Sequence, residues 1–326
     1  MSDLDNSSLN FNRHYKFTFF DITGQGPFTI VPVPNVFIQD SVNFSFSYTV
    51  TNSLLNTCTF RFYNLSEETI GLFTSQQQRR GFQFDAWYGN DTSGNVTIFK
   101  GLSYTSNTYY QGPDTITEIT GCDVFLNLMY KGIVQYFPAG TTYLAAVQTL
   151  LGYYGNIVSL NSLSNQFLSG SYKAPTTIMG QFNDVLKTIA ADAGLIYSIQ
   201  LGQVTMIPKD LTVVRPTSIQ QINNQNGLVG YPRATALSVQ LFPVTFFDNQ
   251  ALDRNVSLIS VTTLMRPYNL YDKVYVKSRQ FDGPYGVLSL TQTGEWRSNA
   301  WYSVMTLWPD TNAGQQGLLV GDHEVQ

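Results

Sequence analysis

Apolar and polar residues alternate through long parts of this chain. In Val42-Asn43-Phe44-Ser45-Phe46-Ser47-Tyr48-Thr49-Val50, five apolar side chains fall on one face and four small polar ones on the other. A period of two marks a half-buried β-strand. A one-residue slip would expose the whole apolar set, so the register is firmly specified. The same period runs through Cys58 to Tyr63, Phe82 to Tyr88, Val96 to Phe99 and Asp114 to Thr120. From Tyr15 to Asp123 the pattern is almost purely β, with turns read at Gly24-Gln25-Gly26-Pro27 and at Gly89 to Asn95. One interruption stands out. After Asn64-Leu65, Ser66 can cap a short helix whose first turn carries Glu67 and Glu68 against the helix dipole.

The middle of the chain changes period. Thr141 or Thr142 can cap a helix with Leu144, Val147 and Leu151 on one face, ending near Gly152. A second, stronger helix is predicted to start at Pro175-Thr176-Thr177. Ile178, Phe182, Val185 and Ile189 follow helical spacing, and Gly194 stands at the C-terminal cap position. A hairpin follows, Leu195 to Ile199 and Val204 to Ile207 around Leu201-Gly202. From about Gln220 the β pattern returns, with strands expected at Leu237 to Phe242, Ser257 to Leu264, Lys273 to Lys277, Val287 to Thr293 and Trp301 to Leu307.

The expected fold class is therefore mainly β with an α+β insert: two tube-like β-barrel or sandwich domains flanking a small helix-hairpin domain. The expected division is 1–12 as a flexible arm, 13–132 as the first β domain, 133–215 as the insert, 216–309 as the second β domain and 310–326 as a C-terminal tail.

Composition sharpens this picture. Of 326 residues, 43% are hydrophobic, enough for a substantial core, and only 12% are charged, about half the usual share. The 22 Phe and 20 Tyr suit pleated, half-buried surfaces. A net charge of −4, with Arg79-Arg80 as the one tight basic pair, argues against a surface that neutralises many phosphates. That pair is expected in a solvated turn. Cys58 and Cys122, in separate predicted strands, could be neighbours. They read as buried thiols rather than as a disulfide framework or a zinc site. No secretory leader or membrane-length apolar run is read in the chain, which implies a soluble protein made in a reducing compartment.

Candidate chemistry is sparse. His14 and His323 lie in or near the loose ends and read as exposed rather than catalytic. Asp85, Glu118 and Glu295 are carboxylates that a fold could pair for glycoside hydrolysis, but each sits on the polar face or end of a strand. Trp87, Trp296, Trp301 and Trp308 could stack sugars or pack between strands. No catalytic, cofactor-binding or metal-binding residue is assigned, no cofactor is expected, and the chain reads as a non-enzyme.

The order of the pieces resembles the tail hub, or baseplate hub, proteins of contractile-tailed phages and related injection machines. The resemblance rests on a strand turning at Asn64-Leu65-Ser66 into a short helix, then the strand Phe82 to Tyr88, then a "Phe-x-Gly" step at Phe99-Lys100-Gly101. It continues with Asp114 to Asp123, the helix at Asp184 to Ala190, Gly194-Leu195-Ile196-Tyr197, and a hairpin ending near Met206-Ile207-Pro208. Late in the chain come Arg266-Pro267-Tyr268-Asn269-Leu270-Tyr271-Asp272-Lys273-Val274 and a closing hairpin from Gly286-Val287-Leu288 to Gly294-Glu295-Trp296 and Trp301. The family usually has Gly where this chain has Tyr271-Asp272, and often Gly-Asp where it has Gly294-Glu295.

The resemblance implies a structural virion protein of the tail baseplate, assembled in the host cytoplasm. It implies a homotrimer whose two β domains per chain alternate into a ring of approximate sixfold symmetry. The implied partners are a tail tube protein hexamer, a central spike trimer and neighbouring baseplate proteins, with DNA passing through the lumen without specific binding. The capped helix from Ser66 to Phe73 would then be a rim element. A carbohydrate- or receptor-binding β protein of a tail tip is the alternative reading.

Overall fold

The computed structural model describes residues 12–23, 29–51, 56–74, 80–89, 97–122, 132–155, 158–208, 219–235 and 258–309. The predicted strand Leu237 to Phe242, the turn at Gly24 to Pro27, most of the turn after Gly89, residues 1–11 and the tail 310–326 lie outside them.

The protein is mainly β, as the alternation predicts. The first section supplies β1 (Arg13–Thr23), β2 (Thr29–Gln39), β3 (Phe44–Val50), β4 (Thr57–Tyr63), α1 (Glu67–Thr74), β5 (Arg80–Tyr88), β6 (Thr97–Gln111) and β7 (Asp114–Cys122). They hydrogen-bond in the order β3-β4-β7-β6-β5-β1-β2, each pair antiparallel. This sheet curls on itself. Phe17 of β1 meets Phe44 of β3 at 5.3 Å and Phe60 of β4 at 5.4 Å between ring centres, and stacks on Phe84 of β5 at 4.9 Å. Strands far apart in the sheet thus share one aromatic core. Side chains close the gap: the Tyr15 hydroxyl donates to the Val42 carbonyl at 2.7 Å.

The break that follows β4 has a local cause. Asn64 adopts a left-handed φ of 56°, a conformation Asn tolerates better than most residues. Its side chain accepts from the Thr115 amide at 2.9 Å and donates to Asp114 Oδ1 at 2.7 Å. Ser66 Oγ then accepts from the Thr69 amide at 3.2 Å, capping α1 as expected. The helix delivers Phe73 into the aromatic core, 4.8 Å from Phe62 and 5.2 Å from Phe82.

The insert contains β8 (Gly132–Phe137), α2 (Tyr143–Gly152), β9 (Ser159–Leu160), β10 (Thr176–Gln181), α3 (Phe182–Asp192), β11 (Leu195–Gln200) and β12 (Gln203–Pro208). Thr142 caps α2 through the Ala145 amide. Gly194, at φ 70°, follows α3. Leu201 and Gly202, both at positive φ, close the β11–β12 hairpin. One expectation is corrected. Pro175 to Gln181 does not begin the helix: residues 176–181 form β10, antiparallel to β8, and α3 starts at Phe182. The β-branched run Thr176-Thr177-Ile178 favours an extended backbone, and the vacant edge of β8 supplies its hydrogen bonds. Ile178 coincides with the helical spacing but is buried from a strand.

The later section supplies β13 (Gln220–Ile222), β14 (Leu228–Thr235), β15 (Leu258–Leu264), β16 (Lys273–Lys277), β17 (Asp282–Glu295) and β18 (Trp301–Pro309). β17 is the seam of the molecule. One edge runs along β18, while the other pairs first with β16 through Asp282 to Gly286 and then with β3 through Leu290 to Glu295. The β strands before and after the insert therefore form one 13-stranded sheet with a common core. A second core lies between α2, α3 and the insert strands, and takes in Phe20, Ile22 and Cys122 from the back of the main sheet.

Candidate functional site

The residues singled out for chemistry are spent on structure. His14 does not lie in a loose end. It sits within β1, partly buried, its Nδ1 at 2.8 Å from Asp40 Oδ2, and stacks on Trp87 at 5.7 Å. The other Asp40 oxygen accepts from the Tyr15 amide at 2.8 Å, so this carboxylate clasps the β2–β3 corner to β1. His323 lies outside the described residues. Asp85 accepts from Gln83 and from the Thr97 hydroxyl. Glu118 pairs with Arg61 at 2.7 Å on a neighbouring strand. Glu295 ends β17 beside Ser45. Each of the three occupies its own strand with its own neighbours.

Arg80 corrects another expectation. Rather than standing in a solvated turn, it opens β5 directly opposite Asp21 of β1 and makes two bonds to it, at 2.8 and 3.1 Å. Arg79 is outside the described residues. The cysteines are on adjacent strands, but Cys58 faces Gly121 while Cys122 faces Thr57. That one-residue offset sends the two thiols to opposite faces and different cores. Trp301 is buried against Phe44, Phe46 and Trp296, and Trp308 packs over Leu258 and Leu288. Among the described residues, no group of three His, Cys, Asp or Glu side chains could hold a metal ion. No helix among them is long and apolar enough to cross a membrane.

A polar junction joins the insert to the sheet. Asn56 Nδ2 donates to the Ile199 carbonyl at 2.9 Å, and Gln200 Oε1 accepts from the Leu270 amide at 2.7 Å. Beside them is a cavity of about 30 Å³ lined by Asn161, Gln200, Gln203, Thr205, Asn269 and Asp272, among others. Asp272 Oδ2 accepts from the Asn269 amide at 2.7 Å. Burial outweighs that bond and pushes the carboxyl up to about 6. The preceding Tyr271 holds φ 68°, a conformation normally left to glycine. Amide side chains and the Thr205 hydroxyl surround this carboxylate, and its burial ties the junction's stability to pH.

What the surface offers is contact area. β6 pairs with β5 only as far as Leu102, yet runs on beside β7 to Gln111. This ribbon carries Tyr110 at 84% exposure and no charged residue between Lys100 and Asp114. On the outer face of the β8–β10 ribbon, Val134 and Met179 are directly opposed and 71% and 72% exposed, with Tyr136 beside them. Sequence reasoning missed this face because it read β10 as helix; the β-branched run at 176–178 was the available signal. The terminal strands β2 and β14 carry Pro32, Pro34 and Pro232, as guarded sheet edges do.

By sequence, the chain matches no protein-family model and no curated protein. By structure it is similar to the 43 kDa tail protein of prophage MuSo2 from Shewanella oneidensis, at TM-score 0.55 and 10% identity, over 91% of this chain and 98% of that one. A tail protein from Neisseria meningitidis matches at TM-score 0.54 and 10% identity, over 91% and 97% of the two chains. A chain of the Francisella PdpA-VgrG complex matches at TM-score 0.59 and 8% identity, over 94% of this chain but 55% of that one. An Escherichia coli type VI secretion component, described as similar to the phage T4 tail proteins gp27 and gp5, matches at TM-score 0.51 and 11% identity, over 89% of this chain and 76% of that one. The chain therefore shares its fold with proteins of phage tails and of type VI secretion.

Proposed function

We propose that this protein is a structural hub of a phage tail or a related injection machine. Three copies form a ring of approximate sixfold symmetry that joins a hexameric tail tube to a trimeric central spike. The observation that carries this reading is the likeness in fold along nearly the whole length of two tail proteins. The match to about half of a chain in a VgrG complex supports a place beside a spike. In this reading residues 13–132 and 216–309 are the two tube-like units, and 133–215 is the insert between them. The uncharged stretch of β6 that runs beyond Lys100 and the apolar β8–β10 face meet neighbouring subunits or baseplate proteins, where buried unpaired charges would be costly. The lumen is neutral or acidic, because a basic lining would bind and retard DNA.

The test is the mass and symmetry of the assembled particle, by native mass spectrometry and low-resolution imaging. Three copies closing into an annulus are expected; a monomer or an open array at assembly concentrations refutes the proposal. The exposed tyrosines of β6 favour a second reading, a carbohydrate-binding tail-tip protein, since such rings stack on sugars. A glycan array separates the two: specific binding lost on Tyr110→Ala favours the second.

A further inference from the structure

β6 leaves a long strand edge open. It parts from β5 at Leu102, and among the described residues nothing pairs with the outer side of Tyr104 to Gln111. α1 covers only the beginning of this edge, where the Ser103 hydroxyl donates to the Phe73 carbonyl. Which backbone groups stay open follows from the turn. Gln111 and Asp114 close a two-residue hairpin with Gly112 at φ 61°, and the closing pair of such a hairpin is hydrogen-bonded. Alternation from that pair turns the amides and carbonyls of Tyr109, Asn107 and Thr105 toward β7. Those of Tyr110, Thr108 and Ser106 point away from it.

Free edges are ordinarily blunted by proline or charge. This chain has Pro32 and Pro34 in β2 and Pro232 in β14, but neither proline nor charge in residues 104–111, where Tyr104 to Thr108 are all exposed. Such an edge is a template for strand addition. A closed head-to-tail ring needs a second, different edge on the same chain, since β6 paired with β6 gives only a twofold dimer. β11 does not supply it: the strand is buried along most of its length, and Asn56 takes its Ile199 carbonyl. β9 and β13 are only two and three residues long. The β8–β10 ribbon remains. Among the described residues it has no third strand, residues 132–137 and 176–181 hold no proline or charge, and Val134, Tyr136 and Met179 are exposed on it. An uncharged strand laid on an uncharged edge buries no unpaired charge.

We propose that the outer edge of β6, at residues 104–111, is completed by a strand of the β8–β10 ribbon from a second copy of this chain. Main-chain hydrogen bonds through Ser106, Thr108 and Tyr110 then join the copies. The inference rests on the hub reading for the closed ring, and it names the contact that closes it.

The test uses the full chain, at assembly concentration and after dilution to free subunits. On assembly, amide hydrogen exchange should slow about tenfold or more at Ser106, Thr108 and Tyr110 and within the β8–β10 ribbon. Thr105 and Asn107, already bonded to β7, should change less. Thr108→Pro removes an outward amide and leaves the β6–β7 ladder whole; it should shift the native mass from ring to monomer with the unfolding midpoint little changed. The exchange measurement needs no variant, so it decides the matter if Thr108→Pro fails to fold. A ring of unchanged mass in Thr108→Pro, or a ring whose β6 amides exchange as fast as in free subunits, overturns this inference and leaves the hub reading standing. Protection of β6 without the β8–β10 ribbon, as in a twofold dimer, overturns it too. A chain that never closes into a ring refutes the hub reading, and this inference with it.

Discussion

Asp272→Asn should make this protein more stable at neutral pH, even though it alters a hydrogen-bonded residue. The carboxyl stands at about 6 in the folded chain against an ordinary 3.8, with burial as the leading cause and the Asn269 hydrogen bonds acting in the opposite direction. A folded state that holds the proton more tightly than the unfolded state is penalised when that proton is lost. The penalty is absent below pH 3.8, grows as pH rises toward 6, and is complete above pH 7. At 1.36 kcal/mol per unit, the shift corresponds to about 3 kcal/mol at most. An asparagine keeps an acceptor oxygen for the Asn269 amide and has polar neighbours across the small cavity in Asn161, Gln203 and Thr205. A gain of about 1–3 kcal/mol is therefore expected at pH 8, shrinking to nothing near pH 4. Urea unfolding of both proteins at pH 4, 5, 6, 7 and 8 measures it. The difference between the two proteins isolates this group from the other carboxylates that titrate over the same range. A variant that is less stable at every pH, or a gap that does not change with pH, would refute the reasoning.

Other outcomes follow from particular contacts. Gly101→Ala places a Cβ 2.0 Å from the Cys122 carbonyl oxygen, which is backbone and cannot turn aside; a loss of about 3 kcal/mol or more is expected by urea unfolding, and a change within 0.5 kcal/mol would contradict the β6–β7 geometry. Phe17→Ala empties the centre of the aromatic core, where Phe44, Phe60, Phe62, Phe73 and Phe84 all meet that ring, and should cost about 3–5 kcal/mol. Asn64→Gly keeps the left-handed turn but loses both side-chain bonds, for roughly 1 kcal/mol, whereas Asn64→Ala loses the conformation as well and should be measurably worse. Equal stabilities for the two variants would mean that the backbone at residue 64 is not strained.

Much of the local structure is legible in the sequence because it is set by neighbours a few residues away. The strand at Phe44 to Val50, the Ser66 and Thr142 caps and the Leu201-Gly202 hairpin stand where the pattern puts them. Failures came where a distant partner overrode the local signal. Residues 176–178 join a strand because β8 is there to receive them, and Arg80 is ordered because Asp21 faces it.

The sequence by itself determined which face is buried in the alternating strands such as β3 and β4, and where several strands and helices stop, since alternation, caps and turn residues act at short range. The tertiary structure alone decided which strand lies beside which. Every β-strand offers the same row of amide and carbonyl groups, so a period of two names a face but not a neighbour. The pairing of β17 with β3 joins segments more than 200 residues apart. It is admitted by side-chain shape at one point, where Gly294 leaves room for Phe46 and Trp301 that any Cβ would take.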